Sequence, residues 1–160
     1  MEMKIVDLEF PAGANIILGQ THFIKTVEDL YEIMITSSPQ AKFGIAFCEA
    51  SGHCLIRVEG NDEKLKESAT QNALNIGAGH SFIIVMEGIF PINVLNEIKM
   101  CQEVCRIFCA TANPVKVIIA ETEQGRGILG VIDGEKPKGV EDESGVQWRK
   151  KLLRDFGYKK

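Results

Sequence analysis

Short runs of alternating apolar and polar residues recur along the chain, and this period of two is typical of half-buried β-strands. MKIVDLEF and ANIILG, near the start, both show it. In KFGIAFCEA both alternate sets are apolar or small, which predicts a strand buried on two sides. Ser51-Gly52 then predicts a turn that pairs this strand with HCLIRVEG as a hairpin. Three later segments are also predicted as strands, SFIIVMEG, VKVIIAET and GILGVIDG, the last two paired with each other.

Apolar residues at helical spacing predict two helices in the first half of the chain. The first is expected to begin at Thr26, with Asp29 as a capping partner three residues on, and to end before Pro39. The second is expected to be capped by Asn61 and to end at Gly77, where a glycine suits the left-handed conformation of a helix end. A stripe of apolar residues and a closing glycine predict a final helix near the end of the chain: Trp148, Leu152, Phe156 and Gly157.

A long third helix is predicted from Pro91 to about Ala112, which places Cys101, Cys105 and Cys109 four residues apart along one face. A rise of about 1.5 Å per residue separates the outer two by about 12 Å, too far to share a small metal site. We therefore expect these cysteines to be reduced, buried and free of metal.

The order of elements predicts a single domain over residues 1–160 of the α+β (mixed α/β) class, with one mixed sheet and helices packed on it. The chain has 160 residues, of which 45% are hydrophobic and 25% charged, as in ordinary globular domains with a substantial core. Five cysteines do not form the even framework of small secreted domains. No signal segment and no apolar run of about 20 residues is present, so a cytoplasmic protein with no membrane partner is expected.

The formal net charge of −4 provides no electrostatic footprint for nucleic acid, so a nucleic-acid partner is not expected. Basic side chains concentrate only in the last dozen residues, RKKLLRDFGYKK. We interpret that segment mainly as a solvated helix face.

The most unusual stretch is NIGAGHSF, residues 75–82. A helix end accounts for Gly77 but not for Gly79, because one glycine is enough for a cap. Gly77, Ala78 and Gly79 can instead turn successive backbone amides toward an anion, forming a nest. His80 follows directly, and neutral imidazole is a nucleophile that can accept a phosphoryl group. The alternative is a plain helix end followed by a strand, with His80 as an incidental residue.

Two familiar phosphate-binding motifs do not fit the sequence. GQTHFIKT lacks the second glycine beside the lysine that a P-loop requires. NIGAGHSF follows a predicted helix and precedes a predicted strand, which reverses the order of the dinucleotide-binding fingerprint. The polar surroundings of His22 and Lys25 in GQTHFIKT nevertheless make both residues candidates for lining a phosphate site.

Several longer motifs resemble those of the adenosine-specific kinase family: GQTHFIKTVEDLYE, KFGIAFCEASG, GAGHSF, PINVLN, ATANP and GRGILGVIDG. The likeness extends from near the start of the chain to the final RDFGYK. The resemblance implies a protein that binds adenosine or AMP and whose His80 carries a phosphoryl group.

On this basis the first of two functions is phosphoryl transfer involving adenosine or AMP through His80. Residues 77–79 would supply backbone donors, and Ser81 a hydroxyl, to the phosphate. The charge on the transferring oxygens needs a cation, and Arg126 between two glycines is the preferred one. Arg57 and Lys25 are lesser candidates for the same task.

The polar residues that follow the buried strand leave their roles open. Glu49 and Ser51 are candidates to orient the imidazole or the ribose hydroxyls, but Glu49 and Arg57 are equally well interpreted as a cross-strand ion pair.

The second function is a non-catalytic, adenylate-sensing or phosphohistidine-bearing regulatory module, which requires the same pocket. No metal-ligand set is predicted, and magnesium would enter only with a nucleotide phosphoryl donor. A homo-oligomer is expected, because domains with short glycine-punctuated strands often complete a pocket with a neighbouring subunit.

Overall fold

The computed structural model describes residues 1–160 and contains eight strands and four helices. The strands are β1 (Glu2–Asp7), β2 (Asn15–Thr21), β3 (Lys42–Cys48), β4 (Ile56–Gly60), β5 (Ser81–Glu87), β6 (Val104–Thr111), β7 (Val115–Glu121) and β8 (Arg126–Asp133). The helices are α1 (Thr26–Ser37), α2 (Glu63–Ile76), α3 (Pro91–Met100) and α4 (Glu143–Asp155). The α+β class predicted from the sequence is confirmed.

The strands are divided between two antiparallel sheets, not gathered in the one mixed sheet that was expected. One sheet has five strands in the order β4-β3-β5-β2-β6, and the other has three in the order β1-β7-β8. The predicted hairpins β3–β4 and β7–β8 both form. The three-stranded sheet depends on the pairing of β7 with β1, which is more than a hundred residues away. Pairing between such distant segments leaves no pattern in the local sequence.

The two faces of the five-stranded sheet bury separate halves of the core, which explains why its inner strands are apolar at successive positions. Helices α1 and α3 cover one face, where Phe43, Phe47 and Phe82 are fully buried. Helix α2 and the three-stranded sheet cover the other, where Ile16 packs with Val117 and other aliphatic residues. None of the four helices combines the length and the apolar character needed to cross a bilayer.

The long third helix predicted to reach Ala112 is wrong, because α3 ends at Met100 and the chain continues as β6. The spacing of four residues between the cysteines is close to the period of a helix, and the prediction relied on it. The segment VCRIFCAT is instead rich in β-branched and aromatic residues, and it pairs with β2 at the edge of the sheet. Cys105 is consequently exposed and Cys101 half-buried, whereas Cys109 is buried, so the prediction of three buried cysteines was also wrong. All five cysteines of the chain are free.

The boundaries of α1 and α2 were predicted well, but their N-terminal caps were not. Asp62, not Asn61, caps α2, and its carboxylate accepts from the Leu65 amide. Asn61 instead ties β3 to the preceding turn, accepting from the Phe43 amide at 2.9 Å. At the start of α1 the Thr26 hydroxyl is bonded to the Thr21 hydroxyl, so no capping box forms. Gly77 ends α2 in the left-handed conformation, as predicted.

Candidate functional site

A cavity of about 810 Å³ opens where three parts of the fold meet, and we call it the main cavity. Its volume lies within the range of about 300–1,000 Å³ that is common for small-molecule sites. The end of β3 and the loop before β4 form one wall, the C-terminal end of α2 forms the second, and the β7–β8 turn forms the third. The polar and small residues of these walls include Glu49, Ala50, Gly77, Gly79, Thr122 and Arg126.

The structure favours glycine at both positions 77 and 79, but for different reasons. Gly77 has φ 59° and ψ 22°, a left-handed conformation in which its amide donates to the Ala73 carbonyl at 2.8 Å. Gly79 does not have a positive φ. A Cβ on Gly79 would lie 2.9 Å from the Cβ of Ala50, closer than real Cβ atoms approach. The second glycine therefore allows the loop after β3 to pack against the end of α2.

The backbone amides near these glycines are mostly occupied within the protein. The His80 amide donates to the Cys48 carbonyl at 2.7 Å, and the Ser81 amide donates to the Ala78 carbonyl at 3.2 Å. The Gly77 amide completes the helix end. A ligand phosphate could therefore meet no more than the amides of Ala78 and Gly79, so the nest is smaller than the sequence suggested.

His80 adopts φ 64°, a conformation that is uncommon for a residue with a side chain. Cys54, with φ 51°, is the other non-glycine residue at positive φ, and it lines the main cavity. Such backbone strain persists where the surrounding structure enforces it, and it is concentrated at functional sites. The His80 carbonyl accepts from the Thr21 amide at 2.9 Å, so its backbone joins the ends of β2 and β3.

The imidazole of His80 is half-buried and stacks on Phe47, with ring centroids 6.0 Å apart and planes 22° apart. Phe47 belongs to the core beneath α1 and α3, and neither Phe47 nor His80 is among the residues that line the main cavity. The neighbouring Gly79 does line the cavity. The peptide between Gly79 and His80 thus links the cavity lining to the residue that the sequence predicted as a nucleophile.

Arg126 lies directly against the glycine segment that was predicted to bind phosphate. Its Nη1 donates to the carbonyls of Asn75 at 3.0 Å and Ile76 at 3.4 Å, the last turn of α2. Its Nε donates to Glu121 at 3.1 Å, and hydrogen bonds from Lys4 and then Arg126 hold the pKa of Glu121 below its usual range. These bonds use Nε and Nη1, so Nη2 is the group through which the guanidinium can meet an anion.

Arg126 also borders a smaller cavity of about 140 Å³, which is lined by Ala78 and Gly79 as well. Ser81 lines this small cavity, not the main one. Its hydroxyl is buried and donates to the Ala78 carbonyl at 2.7 Å, so it secures the turn. A phosphate role for Ser81 would require this bond to break.

Glu49 and Arg57 form the cross-strand ion pair that was one of the two interpretations. Nη2 of Arg57 lies 3.0 and 3.2 Å from the two carboxylate oxygens of Glu49, and the Leu55 amide donates to the same carboxylate at 3.0 Å. The Leu55 amide, assisted by Arg57 and opposed by burial, lowers the pKa of Glu49. Glu49 lines the main cavity but Arg57 does not, and Nε of Arg57 is buried without a partner, so only the carboxylate of the pair is presented to the site.

The remaining predicted residues do not meet at the main cavity. Ser51 is exposed in the β3–β4 turn. His22 is exposed beside Phe23, and its amide donates to the Glu103 carbonyl at 3.1 Å. Lys25 forms ion pairs with Asp29 and Glu103. Lys25 therefore belongs to a separate polar cluster around Glu103, and His22 is joined to Glu103 only through the backbone.

That cluster was not predicted, since the helix assignment had placed Cys101 and Glu103 elsewhere. Ligating atoms of Asp29, Cys101 and Glu103 lie within 4.8 Å of one another, and Glu103 is 2% exposed. Burial acts to raise the pKa of Glu103, but a hydrogen bond shared with the Asp29 carboxyl, whose own pKa it raises, and the bonds donated by Cys101 and Lys25 outweigh it and leave the pKa of Glu103 well below its usual range. These residue types can hold a metal ion. Lys25 already brings a positive charge to the same carboxylates.

Comparison with known proteins agrees with this architecture. A family model described as adenosine specific kinase matches residues 6–159. The chain belongs to this family. Membership supports adenosine as a small-molecule ligand and a kinase-type activity.

Among solved structures, the chain is similar to the crystal structure of the PH1918 protein from Pyrococcus horikoshii OT3. The two are 44% identical, the alignment covers 99% of this chain and 98% of that one, and the TM-score is 0.95. None of the curated proteins matches the chain.

Proposed function

We propose that this adenosine-specific kinase family member binds adenosine or AMP in the main cavity and transfers a phosphoryl group through His80. The observation that carries the proposal is the position of His80. It follows Gly79, which lines the cavity, and its backbone is held at positive φ by the bonds to Cys48 and Thr21. A rigid backbone with a half-buried ring suits a nucleophile that must keep a fixed position beside a ligand.

Two phosphoryl transfers account for the proposed chemistry. An unprotonated imidazole nitrogen of His80 attacks the terminal phosphorus of a phosphoanhydride donor. A phosphorus–nitrogen bond forms, and the bond to the donor's bridging oxygen breaks with its electron pair leaving on that oxygen. In the second transfer a hydroxyl of adenosine attacks the phosphohistidine, the phosphorus–nitrogen bond breaks, and the hydroxyl proton is released. With a nucleotide donor, magnesium would accompany its phosphates.

The charged residues of the cavity have complementary roles in this proposal. Arg126 offers Nη2 to the phosphate, because its other nitrogens hold the end of α2 and Glu121. Glu49 has a depressed pKa and so remains ionised at neutral pH, where it can accept hydrogen bonds from the ribose hydroxyls. Arg57 fixes the orientation of that carboxylate.

A second candidate function is a phosphohistidine-bearing regulatory module that binds adenylate without turnover. The stacking of the imidazole on Phe47, outside the residues that line the main cavity, favours this alternative. Steady-state assays with adenosine and a phosphoanhydride donor separate the two. Product in large molar excess over protein supports the transferase, and a single turnover per chain supports the module.

A further inference from the structure

Two apolar surfaces of the chain are largely exposed to solvent. The first is the outward face of the sheet β1-β7-β8, which we call the sheet face. Met3, Ile5, Leu129 and Ile132 on this face are 69%, 61%, 60% and 47% exposed, and Ile5 pairs with Ile118 in the register. The opposite face of the same sheet is core, with Val117 and Ile119 fully buried. A sheet that is apolar on both faces needs a cover on each.

The second surface is an apolar stripe formed by Trp148 and Leu152 of α4 and by Phe156, the residue that follows the helix. None of the 13 residues of α4 is buried, and Trp148 and Phe156 are each 66% exposed. An isolated helix shorter than about 12–15 residues is marginal in water, so helices of this length depend on packing of an apolar face. Phe156 borders a cavity of about 500 Å³ together with Phe90 and Ile92 of the same chain, but Trp148 and Phe156 both stay largely exposed, so the stripe needs a further surface to pack against.

The distribution of charge along the chain indicates which molecule provides that surface. Residues 143–160 carry six basic and two acidic side chains, whereas residues 1–142 carry 12 basic and 20 acidic ones. The helical segment is therefore positive and the rest of the chain is negative. A basic amphipathic helix is complementary to an acidic partner with an apolar surface, and the body of a second copy of this chain has both properties.

We propose that α4 of one copy packs its stripe on the sheet face of a second copy. This contact is heterologous, so each copy presents one surface of each kind, and repetition closes a ring if the rotation permits. It covers both apolar surfaces with a single type of interface. It also braces the β7–β8 hairpin, whose turn lines the main cavity and carries Arg126. The inference does not depend on the phosphoryl-transfer proposal.

Complementation between two variants tests the heterologous arrangement. Trp148→Glu damages the helix stripe and leaves the sheet face intact, whereas Leu129→Glu does the reverse. Val140→Glu is the matched control, since Val140 is 96% exposed and lies on neither surface. Circular dichroism verifies that each variant is folded, and light scattering after size-exclusion chromatography at micromolar concentration gives the masses.

The wild type and the Val140→Glu control are expected to exceed the chain mass of 17.7 kDa, and each surface variant alone to run at that mass. An equimolar mixture of the two surface variants is expected to form a dimer, because one intact stripe meets one intact sheet face. A mixture that stays monomeric contradicts the proposal, as do surface variants that remain assembled. A monomeric wild type contradicts it too, and if that monomer sediments with anionic phospholipid vesicles, the helix belongs to a lipid surface instead.

Discussion

The backbone amide of His80 donates a hydrogen bond to the carbonyl oxygen of Cys48, 2.7 Å away. Cys48 ends β3, and the next two residues, Glu49 and Ala50, line the main cavity. The bond therefore fixes the proposed nucleophile to the same strand end that shapes the cavity. Because the bond is made by the backbone, changes to the imidazole can be tested without removing it.

Enlarging Gly79 should disturb the cavity through Ala50. In Gly79→Ala the new Cβ would lie 2.9 Å from the Cβ of Ala50, and the loop must shift to relieve the overlap. We expect destabilisation of roughly 1–3 kcal/mol in denaturant unfolding and weaker adenosine binding by calorimetry. Gly127→Ala is the control, because Gly127 lines the same cavity with open space at its Cβ position. Ala50→Gly should restore part of the loss, and equal effects of both alanine variants would contradict the packing argument.

Gly77 should matter for stability through its left-handed conformation. With φ at 59°, Gly77→Ala is expected to lower the free energy of unfolding by about 1–2 kcal/mol. Asn tolerates this conformation better than Ala does, so Gly77→Asn should cost less. Chemical denaturation of the three proteins measures the difference. If Ala and Asn cost the same, the loss arises from the nearby Arg126 side chain and not from the backbone.

Arg126 should distinguish ligands that carry phosphate from those that do not. Arg126→Gln removes the charge offered to the phosphate, so AMP affinity should fall about tenfold or more and adenosine affinity much less. Calorimetric titration with both ligands measures the two losses. Equal losses for AMP and adenosine would mean that Arg126 acts only by holding Glu121 and the end of α2. Lys116→Gln, an exposed cation far along β7, serves as the charge control.

Glu49 should make folding stability depend on pH in the acid range. Its pKa in the folded protein lies below the ordinary value of 4.5, so its stabilising effect is fully present above that pH. The effect is lost as pH falls through the lower, folded pKa, where the carboxylate becomes protonated. Urea unfolding between neutral and acid pH should therefore show a smaller decline for Glu49→Gln than for the wild type. Identical declines would indicate that the bonds to Leu55 and Arg57 do not favour the ionised form.

The sequence predicted the features of the site that depend on neighbouring residues. The left-handed end of α2 at Gly77 and the placement of His80 between a helix and a strand both follow from local patterns. The reason for Gly79 did not, because it lies in the contact with Ala50, which belongs to a different segment. The same holds for Arg126, which reaches the carbonyl of Asn75, 51 positions away.

Local patterns also failed where tertiary pairing decided the structure. The spacing of four residues between Cys101, Cys105 and Cys109 fits a helix, but pairing with β2 makes the segment a strand. That error hid the cluster around Glu103, whose members come from the first turn of α1 and from the turn between α3 and β6. A carboxylate-rich cluster assembled from distant segments leaves no motif in the sequence.

The central claim is that His80 accepts a phosphoryl group, and intact-protein mass spectrometry tests it most directly. Wild type, His80→Ala and His80→Asn are incubated with a phosphoanhydride donor and kept out of acid, which would hydrolyse phosphohistidine. His80→Asn is the better folded control, because Asn tolerates the left-handed backbone that His80 adopts at φ 64°. The account predicts that the wild type gains the mass of one phosphoryl group while both variants stay unmodified and still bind adenosine. The same mass gain in His80→Asn would contradict it.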